Sequence, residues 1–422
     1  MKLGLLTLGC RLNSLESEAI AESFKNLGWT VEDRLASDDD LIIINTCTVT
    51  SKADSSARRL IRKYGSNIET IVTGCYVNVA AQGEIEALAP MVRAEKDKAK
   101  LLSYAEKYTK QMLSIPKSED SDIEPCFAFA PLSFSFHSRA SLKIQDGCNN
   151  SCSFCLTHIA RGKGVSLSPE IVLERIKALE ERGYKEICLT GVNLASYSKD
   201  GYNLTRLLEK IVPQLLSTTR LRFSSLEPDY LDNGFFEVIK DYHIFPFFHL
   251  PIQSASDKVI ALTGRHYTIK DLDRIVNALK TARDNPYIAA DIIAGLPGEE
   301  ETDAKITYDF LKDNAFSRLH VFPFSPRIGT LASLEKHPPE RVRDERAASL
   351  VDLSNKLYQN YIKINNNKVL EAIAEGNNGT DTSVVTENYI KAKVRNRILK
   401  EGELIKGRLV VKEKGECEFE RI

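Results

Sequence analysis

Short apolar runs alternate with amphipathic stretches through most of this chain, the pattern of repeated strand–turn–helix units. Lys2 to Leu8 predicts a strand, and Gly9 turns it sharply into Cys10. Asn13 and Glu16 read as a capping-box pair ahead of a helix that stops near Gly28. Leu41 to Ile44 predicts a buried strand ending in Asn45-Thr46-Cys47. A helix from about Lys52 to Tyr64 follows, closed by Gly65. Ile68 to Val72 predicts a third strand, which ends in Gly74-Cys75, with another helix from about Val79. Residues 1–115 therefore read as an open parallel-sheet α/β domain.

Residues 116–138 are rich in Pro, Ser and acidic residues, then in Phe, and read as a connector. Beyond it, strands are predicted near Ser141–Gln145, Glu186–Thr190, Arg220–Ser225, Pro246–Leu250, Ile288–Ala294 and Leu319–Phe324. Helices fill the gaps, as from Pro169 to Arg182, capped by Ser168 and stopped by Gly183. Six βα units in a row over residues 139–360 predict a partial (βα)6 barrel. From 361 to 422 the pattern turns to short strands with Gly turns, a small β-barrel. In its strand 390–397, Ile390, Ala392 and Val394 alternate with Lys391, Lys393, Arg395 and Arg397. Period-two alternation would put the four cations on one exposed face, suited either to a phosphate backbone or to ordinary solvation. Tyr389 beside them could stack on a base.

Composition narrows the class. The chain has 422 residues, 43% hydrophobic and 27% charged, as ordinary globular proteins are. No apolar run is long enough to span a bilayer, and no basic-then-apolar leader opens the chain. A cytoplasmic protein without a membrane partner is expected. The net charge is −1, so any nucleic-acid surface must be a local patch. Nine cysteines against three methionines is a high count for a reducing compartment.

The cysteine positions carry the chemistry. Cys148, Cys152 and Cys155 are spaced C-x3-C-x2-C on one short loop after the first barrel strand. Three thiolates so placed can hold three irons of a [4Fe–4S] cluster and leave the fourth open to a small molecule. Zinc would normally take a fourth protein ligand, which this loop does not offer. Cys10, Cys47 and Cys75 each stand just past the carboxyl end of a predicted strand. In an open parallel sheet those ends share one crevice, so a second three-thiolate site is a geometric proposal. The alternative is three small buried cysteines. Cys126 and Cys188 read as structural.

The loops after the other barrel strands open on the same face. Thr190, Gly191 and Asn193, then Ser225 and Glu227, then Gln253, then Gly295 are the expected cofactor contacts. Gly lets backbone approach a ligand, and Glu227 and Gln253 suit the ammonium and hydroxyls of a nucleoside-bearing amino acid.

Leu8-Gly9-Cys10-Arg11-Leu12-Asn13, Asn45-Thr46-Cys47-Thr48-Val49-Thr50 and Thr73-Gly74-Cys75-Tyr76, with the cluster loop, resemble the methylthiotransferase family of radical-SAM enzymes. The resemblance covers nearly the whole chain. It implies an N-terminal cluster domain, a radical-SAM barrel and a C-terminal TRAM domain. It implies replacement of a C–H by C–S–CH3 with two [4Fe–4S] clusters and two equivalents of S-adenosylmethionine. One equivalent would yield a 5′-deoxyadenosyl radical at the barrel cluster, and the second cluster would carry the inserted sulfur. An electron donor such as flavodoxin or ferredoxin is implied too. The Thr-Val-Thr and Gly-Cys-Tyr words look like the branch acting on N6-threonylcarbamoyladenosine beside the tRNA anticodon, so the anticodon stem-loop is the expected partner. The isopentenyladenosine branch and the branch modifying a ribosomal-protein aspartate differ at these words and stand as alternatives. His158 departs from the family's usual proline. An iron–sulfur electron carrier or redox sensor is the reading of another class, and it would not cleave S-adenosylmethionine.

Overall fold

A computed structural model describes residues 1–109, 124–413 and 415–422. The first part of the expected connector, 116–123, lies outside the described residues.

The N-terminal sheet contains β1 (Lys2–Thr7), β2 (Thr30–Glu32), β3 (Leu41–Thr46), β4 (Thr70–Gly74) and β5 (Val92–Ala94). Its order is β2-β1-β3-β4-β5 and every pairing is parallel. Helices α1 (Arg11–Lys25), α2 (Ser51–Tyr64), α3 (Cys75–Val79) and α4 (Leu101–Thr109) connect or follow these strands. All six residues of β3 are buried. A central parallel strand is covered on both faces, which is why it reads as an unbroken apolar run. The edge strands β2 and β5 are three residues each. Segments so short show no period in the sequence.

Two expectations are corrected here. Asn13 and Glu16 form no capping box. Helix α1 starts at Arg11 with Cys10 as its N-cap, so both residues lie inside it. Their spacing puts them on one helix face, and that face is turned inward, 0% and 2% exposed. Helix α3 starts at Cys75 itself rather than at Val79, with Gly74 at φ 101° as its N-cap. Helix α2 behaves as read: the Thr50 hydroxyl accepts from Ala53 N–H at 3.2 Å, and Gly65 caps the end.

The central barrel has strands β6 (Ala140–Lys143), β7 (Glu186–Thr190), β8 (Arg220–Phe223), β9 (Phe247–Gln253), β10 (Tyr287–Ala294) and β11 (Arg318–Pro323). They form two parallel three-stranded sheets, β8-β7-β6 and β9-β10-β11. Parallel bridges Leu221–Ile244 and Ser225–His249 join them into one open arc. Strand β9 runs three residues past its expected end, with a register shift between Leu250 and Gln253. Helices α5 (Thr157–Arg161) and α6 (Pro169–Glu181) follow β6, α7 (Leu204–Ile211) follows β7, α8 (Ile269–Ala282) follows β9 and α9 (Glu301–Asp313) follows β10. Their buried Val172, Ile176, Leu207, Leu208, Ile275 and Leu311 share one core with the outward residues of the strands. A last helix, α10 (Glu340–Ile364), covers β11, and its Ser354 hydroxyl bonds both N–H and C=O of Leu319.

The C-terminal strands β12 (Val369–Asn377), β13 (Thr382–Thr386), β14 (Lys391–Val394), β15 (Leu404–Val411) and β16 (Cys417–Arg421) close into a barrel in the order β12-β13-β14-β16-β15. This small barrel docks on the amino-terminal ends of the central strands. Arg222, fully buried, holds Glu186 through Nε (2.7 Å) and Nη2 (3.2 Å). Its outer nitrogens donate to the carbonyls of Glu387 (3.1 Å) and Thr386 (3.4 Å). Arg220 forks onto Glu371 at 2.7 and 2.8 Å, and Arg139 reaches Glu375 at 2.7 Å. One end of the central barrel is therefore plugged, and the carboxyl ends of its strands remain for chemistry.

Candidate active site

Cys148, Cys152 and Cys155 occupy the loop between Asp146 and α5. Gly147 opens it at φ 69°, where a Cβ would lie 1.9 Å from the Lys163 carbonyl. Cys148 N–H donates to Gly162 O and Cys155 N–H to Cys152 O, both at 3.0 Å, which curls the loop back on itself. Thr157 N–H and hydroxyl lie 3.3 and 3.1 Å from Cys155 Sγ. Burial raises the Cys148 and Cys152 thiols, while the Arg265 guanidinium opposes the rise at Cys152. Three soft donors, amide support for sulfur and a nearby cation fit a [4Fe–4S] cluster.

The expected cofactor contacts meet different fates. Thr190 is buried at the end of β7, and Gly191 lies so close to Gln145 that a Cβ would sit 2.8 Å from Oε1. Asn193 N–H donates to the same oxygen at 2.8 Å. The Asn193 side chain faces the Cys148 thiol, and its Oδ1 is buried without a partner. An orphaned acceptor beside the cluster loop suits a ligand ammonium, so this wall fits S-adenosylmethionine. Ser225 Oγ lies 3.2 Å from His249 Nδ1. Gln253, at φ 63°, donates to Pro251 O at 3.0 Å. Glu227 is not a free carboxylate, because Arg265 ion-pairs with it. The space beside Gly295 is filled by Arg343, 2.3 Å from where a Cβ would stand, so this glycine serves packing. His158 Nδ1 is buried without a partner.

Cys10, Cys47 and Cys75 converge at the carboxyl ends of β1, β3 and β4. Both glycines that precede a cysteine are forced. Gly9, at φ 112°, has Cys47 Cβ 2.5 Å from the position of a Cβ, and Gly74 has Thr46 O at 2.3 Å. Burial, with Cys10 and Cys75 close by, pushes the Cys47 thiol up to about 11. This set too offers three thiols without a fourth donor from the same words, and it fits a second cluster.

A cavity of about 210 Å³ joins the two sites. Its wall includes Cys75, Thr48 and Thr50 from one side and Cys155, Gln253, Asp291 and Phe322 from the other. A larger cleft of about 420 Å³ between α9 and α10 contains no cysteine.

Two polar assemblies that the sequence reading missed hold the halves together. Arg327, buried on the cavity wall, donates to Thr48 Oγ1 (2.6 Å), Asp54 Oδ2 (2.5 Å) and Ser51 Oγ (3.4 Å). Glu16 binds Lys98, Lys143 (3.0 Å) and Arg161 (2.9 Å), while Asp146 binds Lys143 (2.8 Å) and Arg161 (3.2 Å). Burial alone would raise the Glu16 carboxyl, but these three cations hold it well below the usual range. Arg161 Nη2 also donates to Asn13 Oδ1 at 2.7 Å. The helix after Cys155 is thereby tied to the helix after Cys10. Polar residues on the inward face of a strand or helix were the available signal. Cys126 lines a separate cavity of about 330 Å³ with Cys75, Lys98 and Arg161, and burial pushes its thiol up to about 12. Cys188 is buried and accepts from Arg11 Nη1 at 2.6 Å.

The C-terminal cations are less uniform than expected. Lys391 and Lys393 are exposed on β14, as alternation requires. Arg395 is spent on Asp381 (2.7 Å) and Glu418 (3.0 Å). Arg397 lies beyond Asn396, whose φ of 52° ends the alternation. Tyr389 packs against Phe247 at 4.4 Å and under Arg222, so its ring belongs to the domain junction rather than to a base.

Residues 142–311 match the Radical SAM superfamily, and residues 2–94 match an uncharacterized protein family, UPF0004. The threonylcarbamoyladenosine tRNA methylthiotransferase of Treponema pallidum is 35% identical, over 93% of this chain and 94% of that protein. The enzyme of the same name from Bacillus subtilis is 37% identical, over 87% and 84%. The tRNA-2-methylthio-N6-dimethylallyladenosine synthase of Lachnoclostridium phytofermentans is 30% identical, over 90% and 86%. A solved radical S-adenosylmethionine methyltransferase, TsrM of Kitasatospora setae, superposes with a TM-score of 0.54 at 13% identity, over 79% of this chain and 77% of that one. That likeness concerns the fold. The two family models between them span both cysteine triads, and the relatives match most of the chain, so the chain belongs to the tRNA methylthiotransferase family of radical-SAM enzymes.

Proposed function

We propose that this protein converts N6-threonylcarbamoyladenosine, next to the tRNA anticodon, to its 2-methylthio derivative. The observation that carries the reading is the shared cavity, whose wall takes Cys75 from one triad and Cys155 from the other. A base held there would face both sulfur-ligated centres. Clusters on the two triads, with S-adenosylmethionine, would supply the radical, the sulfur and the methyl group. The chain's own residues position and enclose. Asn193 and Gln253 line the cofactor side, and Arg327 fixes the N-terminal words against the barrel. Phe154, Ile293 and Phe324 help exclude water. A base in an anticodon loop can be splayed out to reach such a cavity, whereas one in a duplex cannot.

The relatives favour the threonylcarbamoyl substrate, since the Treponema and Bacillus enzymes carry that name. Residues 1–115, 139–360 and 361–422 act as cluster, barrel and RNA-holding domains, with 116–138 between them. A small electron carrier such as flavodoxin or ferredoxin supplies the electron, and the protein works in the cytoplasm. Among the described residues no helix is long and apolar enough to cross a membrane. Nucleoside mass spectrometry of tRNA from cells with and without the gene tests the proposal. Loss of the 2-methylthio-threonylcarbamoyl nucleoside is expected. Loss of a 2-methylthio-isopentenyl nucleoside instead would overturn the substrate.

A further inference from the structure

Three neighbouring strands bring one polar cluster onto the inner wall of the barrel. His249 on β9, Asp291 on β10 and His320 on β11 meet there, with both imidazoles directed at one carboxylate oxygen. His249 Nε2 lies 2.8 Å and His320 Nδ1 3.4 Å from Asp291 Oδ1. The two rings stand edge to face at 4.8 Å. Asp291 also lines the cavity between the triads.

The three groups are not equally engaged. His249 uses its second nitrogen on Ser225 Oγ, 3.2 Å away. His320 Nε2 has no protein partner among the described residues, and the side chain is 47% exposed on the open side of the barrel. Burial alone would raise the Asp291 carboxyl, but hydrogen bonds from both imidazoles outweigh it and hold the group at about 2. Asp291 is therefore an anion whose acceptor faces the two rings. A His whose Nδ1–H donates to a carboxylate turns Nε2 outward, and in its protonated form offers a second charged donor. Two guanidiniums of the site are occupied: Arg327 spends its terminal nitrogens on Thr48, Ser51 and Asp54, and Arg265 pairs with Glu227.

We propose that His320, held by Asp291, receives the carboxylate of the threonylcarbamoyl side chain of the substrate. This rests on the substrate reading above. A threonyl group joined through a carbonyl to the base brings a carboxylate and a hydroxyl, whereas a dimethylallyl group brings only carbon and hydrogen. A wall built of Asp291, His249 and His320 rewards the first. It disfavours the second, which would cover these polar groups without pairing them. Phe322, two residues on and on the same face of β11, supplies an apolar ring beside the polar site.

The test compares anticodon stem-loop RNAs carrying threonylcarbamoyladenosine as the free acid and as its methyl ester. The wild-type holoenzyme should prefer the acid by roughly 10- to 100-fold in kcat/KM, the range for a charged hydrogen bond. His320→Leu should lose activity on the acid and treat acid and ester alike to within about 3-fold. His320→Gln, which keeps the side chain's polarity, should fall between. Iron content and RNA-independent cleavage of S-adenosylmethionine should be unchanged in both variants. Full discrimination retained by both variants would overturn the role of His320 while leaving the substrate reading intact. A wild-type enzyme that modifies neither RNA but modifies the dimethylallyl form would overturn the substrate reading and this inference with it. Stoichiometric zinc or manganese, lost in Asp291→Asn, would also overturn it, since a metal would take the donor's place.

Discussion

Cys148, Cys152 and Cys155 share one loop, whereas Cys10, Cys47 and Cys75 come from the ends of three different strands. The first set is pre-grouped by its own chain, within reach of local turns and backbone bonds. The second exists only once β1, β3 and β4 are paired in register. The same donor chemistry therefore has two different dependences on the rest of the fold. One site is grouped by its own loop, and the other by the pairing of the N-terminal sheet.

Replacing the loop set by alanine should have the largest effect. Cys148→Ala with Cys152→Ala and Cys155→Ala should abolish cleavage of S-adenosylmethionine and leave one cluster by iron and sulfide analysis. Two clusters in that variant would erase the distinction between the sites. Next come Cys10→Ala, Cys47→Ala and Cys75→Ala, taken singly. Each should still form 5′-deoxyadenosine with dithionite, yet make no thiomethylated RNA. Product from any of them would show that the strand-end set takes no part in sulfur insertion.

A third experiment addresses the link between the sites. Glu16→Gln leaves Lys98, Lys143 and Arg161 without their shared anion, at a cost of about 3–5 kcal/mol for a broken buried network. In the wild type the folded Glu16 value lies below its ordinary 4.5. Its contribution is thus present above about 4.5 and is lost as pH falls through the folded value. Thermal unfolding from pH 7 down to pH 3 should show this acid loss, and Glu16→Gln should flatten it. An equally steep loss in the variant would assign the acid sensitivity elsewhere. The smallest effect lies far from both triads. Lys391→Ala with Lys393→Ala should weaken tRNA binding and lower the salt slope by roughly 0.7–0.9 for each phosphate no longer neutralised. Arg395→Ala should change it least, because Asp381 and Glu418 already neutralise that cation. A full effect from Arg395 alone would reverse this ranking.

Much of this was legible in the chain, and the illegible parts share a cause. The six barrel strands stand out because outward residues pack on helices and give apolar runs of ordinary length. Cys148 to Cys155 is a local spacing, so it can be read directly. Glu227 read as a cofactor contact because nothing in its own neighbourhood mentions Arg265, which arrives from a later turn and pairs with it. Asn13 and Glu16 imitate a cap because cap spacing and one-face spacing are both three residues. Arg395 looked like part of a basic row because its partners, Asp381 and Glu418, come from other parts of the small barrel. These three misreadings concern polar side chains whose partners are distant in sequence. His249, Asp291 and His320 are the same case: each is one polar residue in its own strand, and only the arc of the barrel makes them a cluster.

The plug at the base of the central barrel bears on the order in which the protein is made. Arg222 and Glu186 are synthesised long before the carbonyls of Thr386 and Glu387 that complete their enclosure. A nascent chain leaves the ribosome from its amino end. The barrel thus spends the interval with a charged pair, and the rings of Phe247 and Tyr287, open to water at one end. The C-terminal strands act as a lid fitted last, and a message cut short before them would release a polypeptide whose centre had never been sealed.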